Sequence, residues 1–444
     1  MDSSSSVLKS YSNSRKELHR SLSRKGRKNK EINNEFVSKA FSDIKYDSLA
    51  KLIIFYAAIS AYSKNSQLQV IIQGLSGSGK TYIPSQIMEV FPRKNVIKLA
   101  HASTKAFYHM KTGKRNIVDL RNKIILFLDM PHYRLLETLR PIISGDASDQ
   151  NYTIQIVDEN KNTKKIVIKG RPSIIFPTTN LRMDEQENTR FLIISPETSE
   201  EKTRDAIDLI LQKAVDPYAK SAYKEQNVKE RRILKKVIER ISRLPPIEVY
   251  ITAKQKDRIR EAFRQRGVNV RLTRSLQVCL NLIKAHAIVN ILSRQVVDPA
   301  RKRRYYFLED QDISHNIGSS SLRLKKGDTL SILAEDEDVE ECLRIYGNIA
   351  GYLHLGLSPY VYDVYDKVLG QLWKKSDKIT PKEIAKKHFE YFGLSISLRK
   401  LNEQIVPLLE EVGLVYREEN SSDKRTYFLV DGRKQIEQVE GLGK

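Results

Sequence analysis

Two cysteines, Cys279 and Cys342, are all that 444 residues contain. They are too few and too far apart for a disulfide framework or a zinc site of ordinary spacing, so a reducing compartment, the cytoplasm, is expected. Long apolar runs are missing as well. The longest uncharged one, Leu52 to Tyr62, falls far short of the ~20 residues that span a bilayer, and the opening MDSSSSVLKS has no apolar signal core. No membrane association is expected. Histidines 101, 109, 132, 286, 315, 354 and 388 show no metal-ligand spacing and no cysteine accompanies them. There is no Ser/His/Asp arrangement and no acidic cluster suited to a nuclease or polymerase. Acidic residues are themselves in deficit. Against 54 Asp and Glu stand 77 Lys and Arg, a formal charge of +23 and a pI near 9.7, so the surface attracts polyanions, nucleic acid first.

What is present divides into segments. Nine basic side chains between Lys9 and Lys30 stand against Asp2, Glu17 and Glu31, and residues 1–34 are expected to be a disordered basic arm. Helical spacing of apolar residues predicts an N-terminal helix over 35–66. From Leu68 the pattern changes to strands alternating with helices: LQVIIQ, NVIKLA, KIILFLD, PSIIFPT and RFLIIS read as five short strands. Continuous apolar strands with helices between them predict an α/β core, 67–200, whose parallel sheet is covered on both faces. Residues 201–313 read as a helical unit and 314–356 as a polar linker. A last compact unit spans 357–434, followed by a tail, 435–444.

The strand Val70-Ile71-Ile72 runs into Gly74-Leu75-Ser76-Gly77-Ser78-Gly79-Lys80-Thr81, which fits G-x-x-x-x-G-K-[ST] and opens a helix. Glycines let the backbone curl so that its N–H groups surround phosphate, and the helix N-terminus adds favourable partial charge. Lys80 should neutralise the β and γ phosphates of ATP, and the Thr81 hydroxyl should bind Mg²⁺. About fifty residues on, the strand Ile124 to Leu128 ends in Asp129, assigned to the Mg²⁺ shell. The usual neighbour at this point is a glutamate that orients the attacking water, but Met130 and Pro131 follow instead. Three readings stand side by side: Glu137 takes the role, hydrolysis is slow, or Asp129 itself orients the water with Leu128 at the metal position.

Between this strand and the next, Tyr152–Val157 and Lys164–Lys169 alternate around the polar turn DENKNT, hence a hairpin. It precedes the strand Ile174-Ile175-Phe176, which leads to Thr178-Thr179-Asn180. An inserted hairpin followed by a strand ending in Asn resembles the AAA+ clade that holds the mini-chromosome-maintenance (MCM) helicases and the helicase parts of phage and plasmid primases. The resemblance gives Asn180 the sensor-1 role near the γ-phosphate. It gives the hairpin, with Lys161, Lys164 and Lys165 near its tip, a DNA-contacting role in the pore of a ring. Glu187-Asn188-Thr189-Arg190-Phe191 is similar to the segment bearing the MCM arginine finger, which implies that Arg190 reaches a neighbouring subunit's ATP. Thr273-Arg274-Ser275-Leu276-Gln277, with Leu282, Ala285, His286 and Ala287, resembles the lid helix and gives Arg274 the sensor-2 role. The resemblance spans roughly residues 66–313, making 201–313 a helical lid. Only 73 residues precede Gly74 of the P-loop, so the amino-terminal domain of cellular MCM proteins is not expected. A reduced relative from a virus, plasmid or integrated element is implied.

The terminal unit reads as a winged helix-turn-helix. An amphipathic stretch from Ser358 to Lys374 is its first helix, and Thr380-Pro381-Lys382-Glu383 is a capping box opening a second that ends near Gly393. Ser397 precedes a third helix, stopped by Gly413 and kinked or shortened by Pro407. Arg399, Lys400, Asn402 and Gln404 on this helix would face a major groove, and Lys424 and Arg425 in the wing would meet phosphate or minor groove. The expectation is a ring-forming AAA+ ATPase acting as an ATP-dependent DNA helicase or translocase on single- and double-stranded DNA, a homo-oligomer of hexameric type, in replication of a mobile genome. Two alternatives compete: an ATP-switched origin-binding initiator or loader with slow hydrolysis, and a winged-helix regulator on an ATPase scaffold.

Overall fold

The computed structural model describes residues 31–100, 117–144, 151–157, 163–180, 190–215, 228–264, 270–298, 303–305, 329–419 and 427–432. Its first eight strands are β1 (Val70–Gln73), β2 (Val96–Leu99), β3 (Ile117–Asp119), β4 (Ile124–Phe127), β5 (Asn151–Val157), β6 (Thr163–Lys169), β7 (Ser173–Thr178) and β8 (Leu192–Ile194). The five apolar segments become one five-stranded sheet in the order β2-β4-β7-β1-β8. Every pairing in it is parallel. Because β1, β4, β7 and β8 are buried throughout, they are apolar at successive positions instead of alternating.

The hairpin joins β5 and β6 in antiparallel register, Ile154 opposite Ile166, and β3 adds to it as a third, parallel strand. Gly170 turns the chain from β6 into β7 at φ +84°, and a Cβ there would stand 2.7 Å from the backbone nitrogen of Arg121. Only glycine fits both demands.

The single helix expected over 35–66 is two, Asn34–Ala40 and Ser48–Ser60, parted by a loop in which Tyr46 and Asp47 take φ values of +58° and +44°. The second is apolar except for Ser48, Lys51 and Ser60 and is buried from Ala50 to Ser60, packed against the helix Val270–Val289. Residues 31–34, expected within the disordered arm, belong to the fold. Asn33 caps the first helix, and buried Ile32 donates its amide to Asn290 Oδ1 at 2.9 Å.

The 201–313 unit is not wholly helical. Its helices Glu200–Val215, Val228–Ile241, Ala253–Arg264 and Val270–Val289 are joined by β9 (Ile247–Tyr250), β10 (Val296–Asp298) and β11 (Arg303–Tyr305). With β12 (Leu330–Leu333) these strands form a second sheet, β11-β10-β12-β9. The polar linker expected over 314–356 is likewise corrected: beyond β12 it holds a 20-residue helix, Asp336–Leu355. A capping box of Glu335 and Asp338 starts that helix and Gly356 at φ +68° ends it, while Val339, Cys342, Ile345, Tyr346 and Ile349 face the core. Asp338 is fully buried and accepts from Arg294 Nε at 2.8 Å and from Arg294 Nη2 at 2.7 Å, with His286 Nδ1 at 2.6 Å. Burial opposes ionisation of this carboxyl, but the His286 and Arg294 bonds overcome it and hold its pKa below the ordinary value.

The last unit has three helical segments and a hairpin. The first runs from Pro359–Asp363 through a π turn, Val364–Leu369, to Gly370–Leu372. The second, Pro381–Phe392, has the Thr380/Glu383 capping box and stops at Gly393. In the third, Leu398–Lys400 leads through a π turn, Leu401–Ile405, into Val406–Glu411, so the ring of Pro407 is accommodated by a local change of helix pitch. β13 (Val415–Glu419) and β14 (Tyr427–Asp431) pair antiparallel. Among the described residues, no helix is long and apolar enough to cross a membrane.

Candidate nucleotide site and arginine cavity

Parallel strands carry their following loops to one edge of the sheet. The Gly74–Thr81 loop leaves β1, Asp129 follows β4, and Asn180 follows β7, with β7 lying between the other two. These loops line one open cavity of about 500 Å³, bounded by Ser76, Gly77, Gly79, Lys80, Thr81, Tyr82, Leu128, Asp129, Met130, Thr178, Thr179 and Asn180. Gly77 and Gly79 have φ values of +80° and +95°, and no atom lies within 4 Å of where a Cβ on Gly77 would stand. Open space and a left-handed backbone together make the cradle that phosphate oxygens require.

Lys80 is 8% exposed, and its ammonium donates to the Leu75 carbonyl within the loop. Burial lowers its pKa. A carbonyl is a weak partner for a buried ammonium, so phosphate would bind it better. The Thr81 hydroxyl lies 3.4 Å from the Leu128 carbonyl, which brings it beside Asp129, and both could hold Mg²⁺. Asp129 accepts the Met130 amide at 2.8 Å. Among the described residues lining this cavity it is the only carboxylate. Glu137 is exposed on the helix Tyr133–Ser144 and does not line it. Met130 does, its sulfur 3.3 Å from Thr178 Oγ1 and 3.5 Å from Asn180 Nδ2. Asn180 is held through its backbone carbonyl, which accepts from Gln73 Nε2 at 2.6 Å.

The loop has support that sequence reasoning missed. Lys202 Nζ donates to the Ser78 carbonyl at 3.2 Å and to Asp47 Oδ1 at 2.8 Å. Asp47, 2% exposed, also accepts the Glu197 amide at 2.7 Å. Neither residue carries a motif; their meeting depends on the left-handed turn at Tyr46–Asp47.

Arg190 and Arg274 do not approach this cavity. They line another, of about 470 Å³, together with Gln67, Gln69, Arg171 and Arg271. Gln67 to Gln69 precede β1, Arg171 precedes β7 and Arg190 precedes β8, so this cavity lies at the opposite edge of the sheet. The six residues of β7 put roughly 20 Å of strand between the two edges. Arg190 Nε donates to Ser144 Oγ at 2.8 Å, and Arg271 donates to the Leu355 carbonyl. Arg274 is exposed on the helix Val270–Val289.

Of the residues read as DNA contacts, Lys165 is exposed on β6 opposite Gln155, and Lys164 lies on the same strand. Lys161, Lys424 and Arg425 lie outside the described residues, as does the Lys164 side chain. Arg399 and Gln404 are exposed, and Arg399 pairs with Glu403 at 3.0 Å. Lys400 is half-buried with its ammonium 5.9 Å from the Tyr360 ring centre. Asn402 is turned inward, its Oδ1 accepting the Tyr427 hydroxyl at 2.6 Å.

Comparison with known proteins bears on the core. Residues 32–240 match the model of the MTBMA_p00010 P-loop domain. No curated protein matches the chain. Among solved structures it is similar to the apo A form of the NrS-1 C-terminal region (305–718), at 11% identity over 90% of this chain and 76% of that one. The TM-score of that pair is 0.27, too low to carry weight. The matched model, the parallel sheet and the glycine cradle agree: the chain holds an α/β P-loop core of the nucleotide-hydrolysing kind.

Proposed function

We propose that the chain is an AAA+ ATPase of the MCM-like, pre-sensor-1 hairpin type. It assembles as a homo-oligomer, a hexameric ring by resemblance, and couples ATP hydrolysis to movement on and unwinding of DNA in the replication of a mobile element. One observation carries the reading: the phosphate cavity and the arginine cavity occupy opposite edges of the same sheet. Arg190 and Arg274 cannot reach their own subunit's nucleotide, so a head-to-tail neighbour must bring them to it, and repetition of such a contact gives a ring where its rotation closes.

In the composite site Lys80 binds the β and γ phosphates, Thr81 and Asp129 hold Mg²⁺, and Asn180 orients the γ-phosphate. Arg190 and Arg274 of the neighbour neutralise charge that develops on the transferred group. Single-stranded DNA meets the basic hairpin. Duplex is recruited by the terminal unit, read as a winged helix in which Arg399 and Gln404 are the outward side chains.

The test is complementation. Arg190→Ala and Lys80→Ala chains should each hydrolyse ATP slowly, a finger being worth roughly 10³–10⁵ in rate. Mixed together, they should regain activity at sites joining an intact P-loop to an intact finger. Parental hydrolysis by an isolated monomer would overturn the reading.

A second reading, an initiator or loader switched by ATP with slow hydrolysis, is favoured by Met130, an uncharged side chain lying against Asn180 where a water-orienting carboxylate is expected.

A further inference from the structure

The helix Glu200–Val215 is built inside out. Among its described side chains, Lys202, Asp205 and Leu209, at i, i+3 and i+7, form the partly buried face. Lys202 bonds Asp47 and the P-loop carbonyl of Ser78, and Asp205 pairs with Lys45 at 2.9 Å and accepts the Tyr46 hydroxyl at 3.1 Å. The opposite face carries Ile207, Ile210, Leu211 and Val215, exposed by 52%, 66%, 58% and 85%. Spaced at i, i+3, i+4 and i+8, they make one continuous apolar stripe. Scattered apolar residues on a surface need no explanation, but a stripe along the outward face of an otherwise polar helix marks a contact.

We infer that this stripe is covered by a second copy of the chain, which docks beside the nucleotide cavity and brings its arginine-bearing face there. The inference rests on the composite-site reading and adds the surface that holds the two copies together. Two observations select this occupant. The helix is tied to the P-loop by its first turns, so whatever covers the stripe stands at the edge of the sheet where the neighbour's Arg190 and Arg274 are needed. Charge also matches: exposed Glu201 and Asp208, seven residues apart, border one side of the stripe, Arg204 at its head is paired with Glu200, and the arriving cavity is lined by Arg171, Arg190, Arg271 and Arg274 against one carboxylate, Glu411. Apolar contact would supply affinity while the charges set orientation. Because the same helix holds the P-loop through Lys202, nucleotide binding and subunit contact share one rigid element.

The experiment compares the full chain with an Ile210→Ser/Leu211→Ser variant in sedimentation velocity with a non-hydrolysable ATP analogue, alongside titration of a fluorescent nucleotide. Parental assembly, variant assembly weakened by at least about tenfold, and a variant nucleotide affinity equal to that of the dilute, unassembled parental chain are expected. Retained affinity shows that the P-loop remains folded. A variant that assembles like the parent overturns the inference and leaves the composite site standing. A parental chain that stays monomeric with the analogue overturns both.

A second measurement identifies the occupant. Cys279 and Cys342 are fully buried, so Leu211→Cys offers one accessible thiol for a polarity-sensitive dye. Its emission should shift to the blue with the analogue and with rising protein concentration. A dye already shielded in dilute monomer would mean that the chain covers its own stripe, and would overturn the inference.

Discussion

The sulfur of Met130 lies 3.5 Å from the side-chain nitrogen of Asn180, inside the cavity that the P-loop borders. A thioether neither accepts a proton nor orients water strongly. Met130→Glu would put a carboxylate between Asp129 and Asn180, and turnover should rise by about 100-fold, the lower end of what a positioned general base supplies. Steady-state hydrolysis with KM determined separately checks this. No rise in kcat for a variant that still binds nucleotide would mean that Asp129 already does the work.

Lys80→Ala should abolish ATP binding, weakening it by about 10²-fold or more, since no other lysine or arginine lines the phosphate cavity among the described residues. Calorimetric titration of the folded variant reads the result. Unchanged affinity would remove the cavity from consideration as the nucleotide site.

Lys161, Lys164 and Lys165 and the set Arg399, Lys400, Lys424 and Arg425 should separate in function. Neutralising the hairpin set should spare duplex binding and abolish unwinding of a fork. Neutralising the terminal set should weaken duplex binding, lower its salt dependence by roughly one counterion per lost contact, and leave ATPase turnover on single strands nearly intact. A hairpin variant that unwinds at the parental rate would reduce the hairpin to a surface ribbon and favour the switch-like reading.

The terminal unit should lose stability in mild acid. His388 is 1% exposed, its Nε2 2.7 Å from the Tyr360 hydroxyl and its Nδ1 2.9 Å from the Leu394 carbonyl. Burial lowers its pKa below the ordinary imidazole value, with Lys400 adding to the shift and the Leu394 carbonyl opposing it. The unfolded chain therefore binds the proton more readily. The stability His388 contributes is full above pH ~6.5 and is lost as pH falls toward the folded pKa, by at most about 1.4 kcal/mol per pH unit. Trp373, the sole tryptophan, lies buried in this unit, so its fluorescence reports unfolding there. A parental denaturation midpoint independent of pH between 5 and 7, or an equal slope in His388→Gln, would contradict this.

Local chemistry was legible from the chain alone. The P-loop, its glycines, the five apolar strands and the Thr380 capping box each depend on residues within a few positions of one another, and propensity acts at that range. The helix Asp336–Leu355 was written in the sequence too: Glu335 and Asp338 form its cap and Gly356 its stop, but the run of acidic residues read as a solvated connector. Only the partners Arg294 and His286, more than forty positions away, show that one of those carboxylates belongs in the core. Tertiary structure alone decided that Arg190 and Arg274 share a cavity, that the edge they occupy is opposite the phosphates, and that Lys202 grips the P-loop. Sheet order sets those distances, and it follows from the burial of both sheet faces at once, a collective property that no short segment encodes.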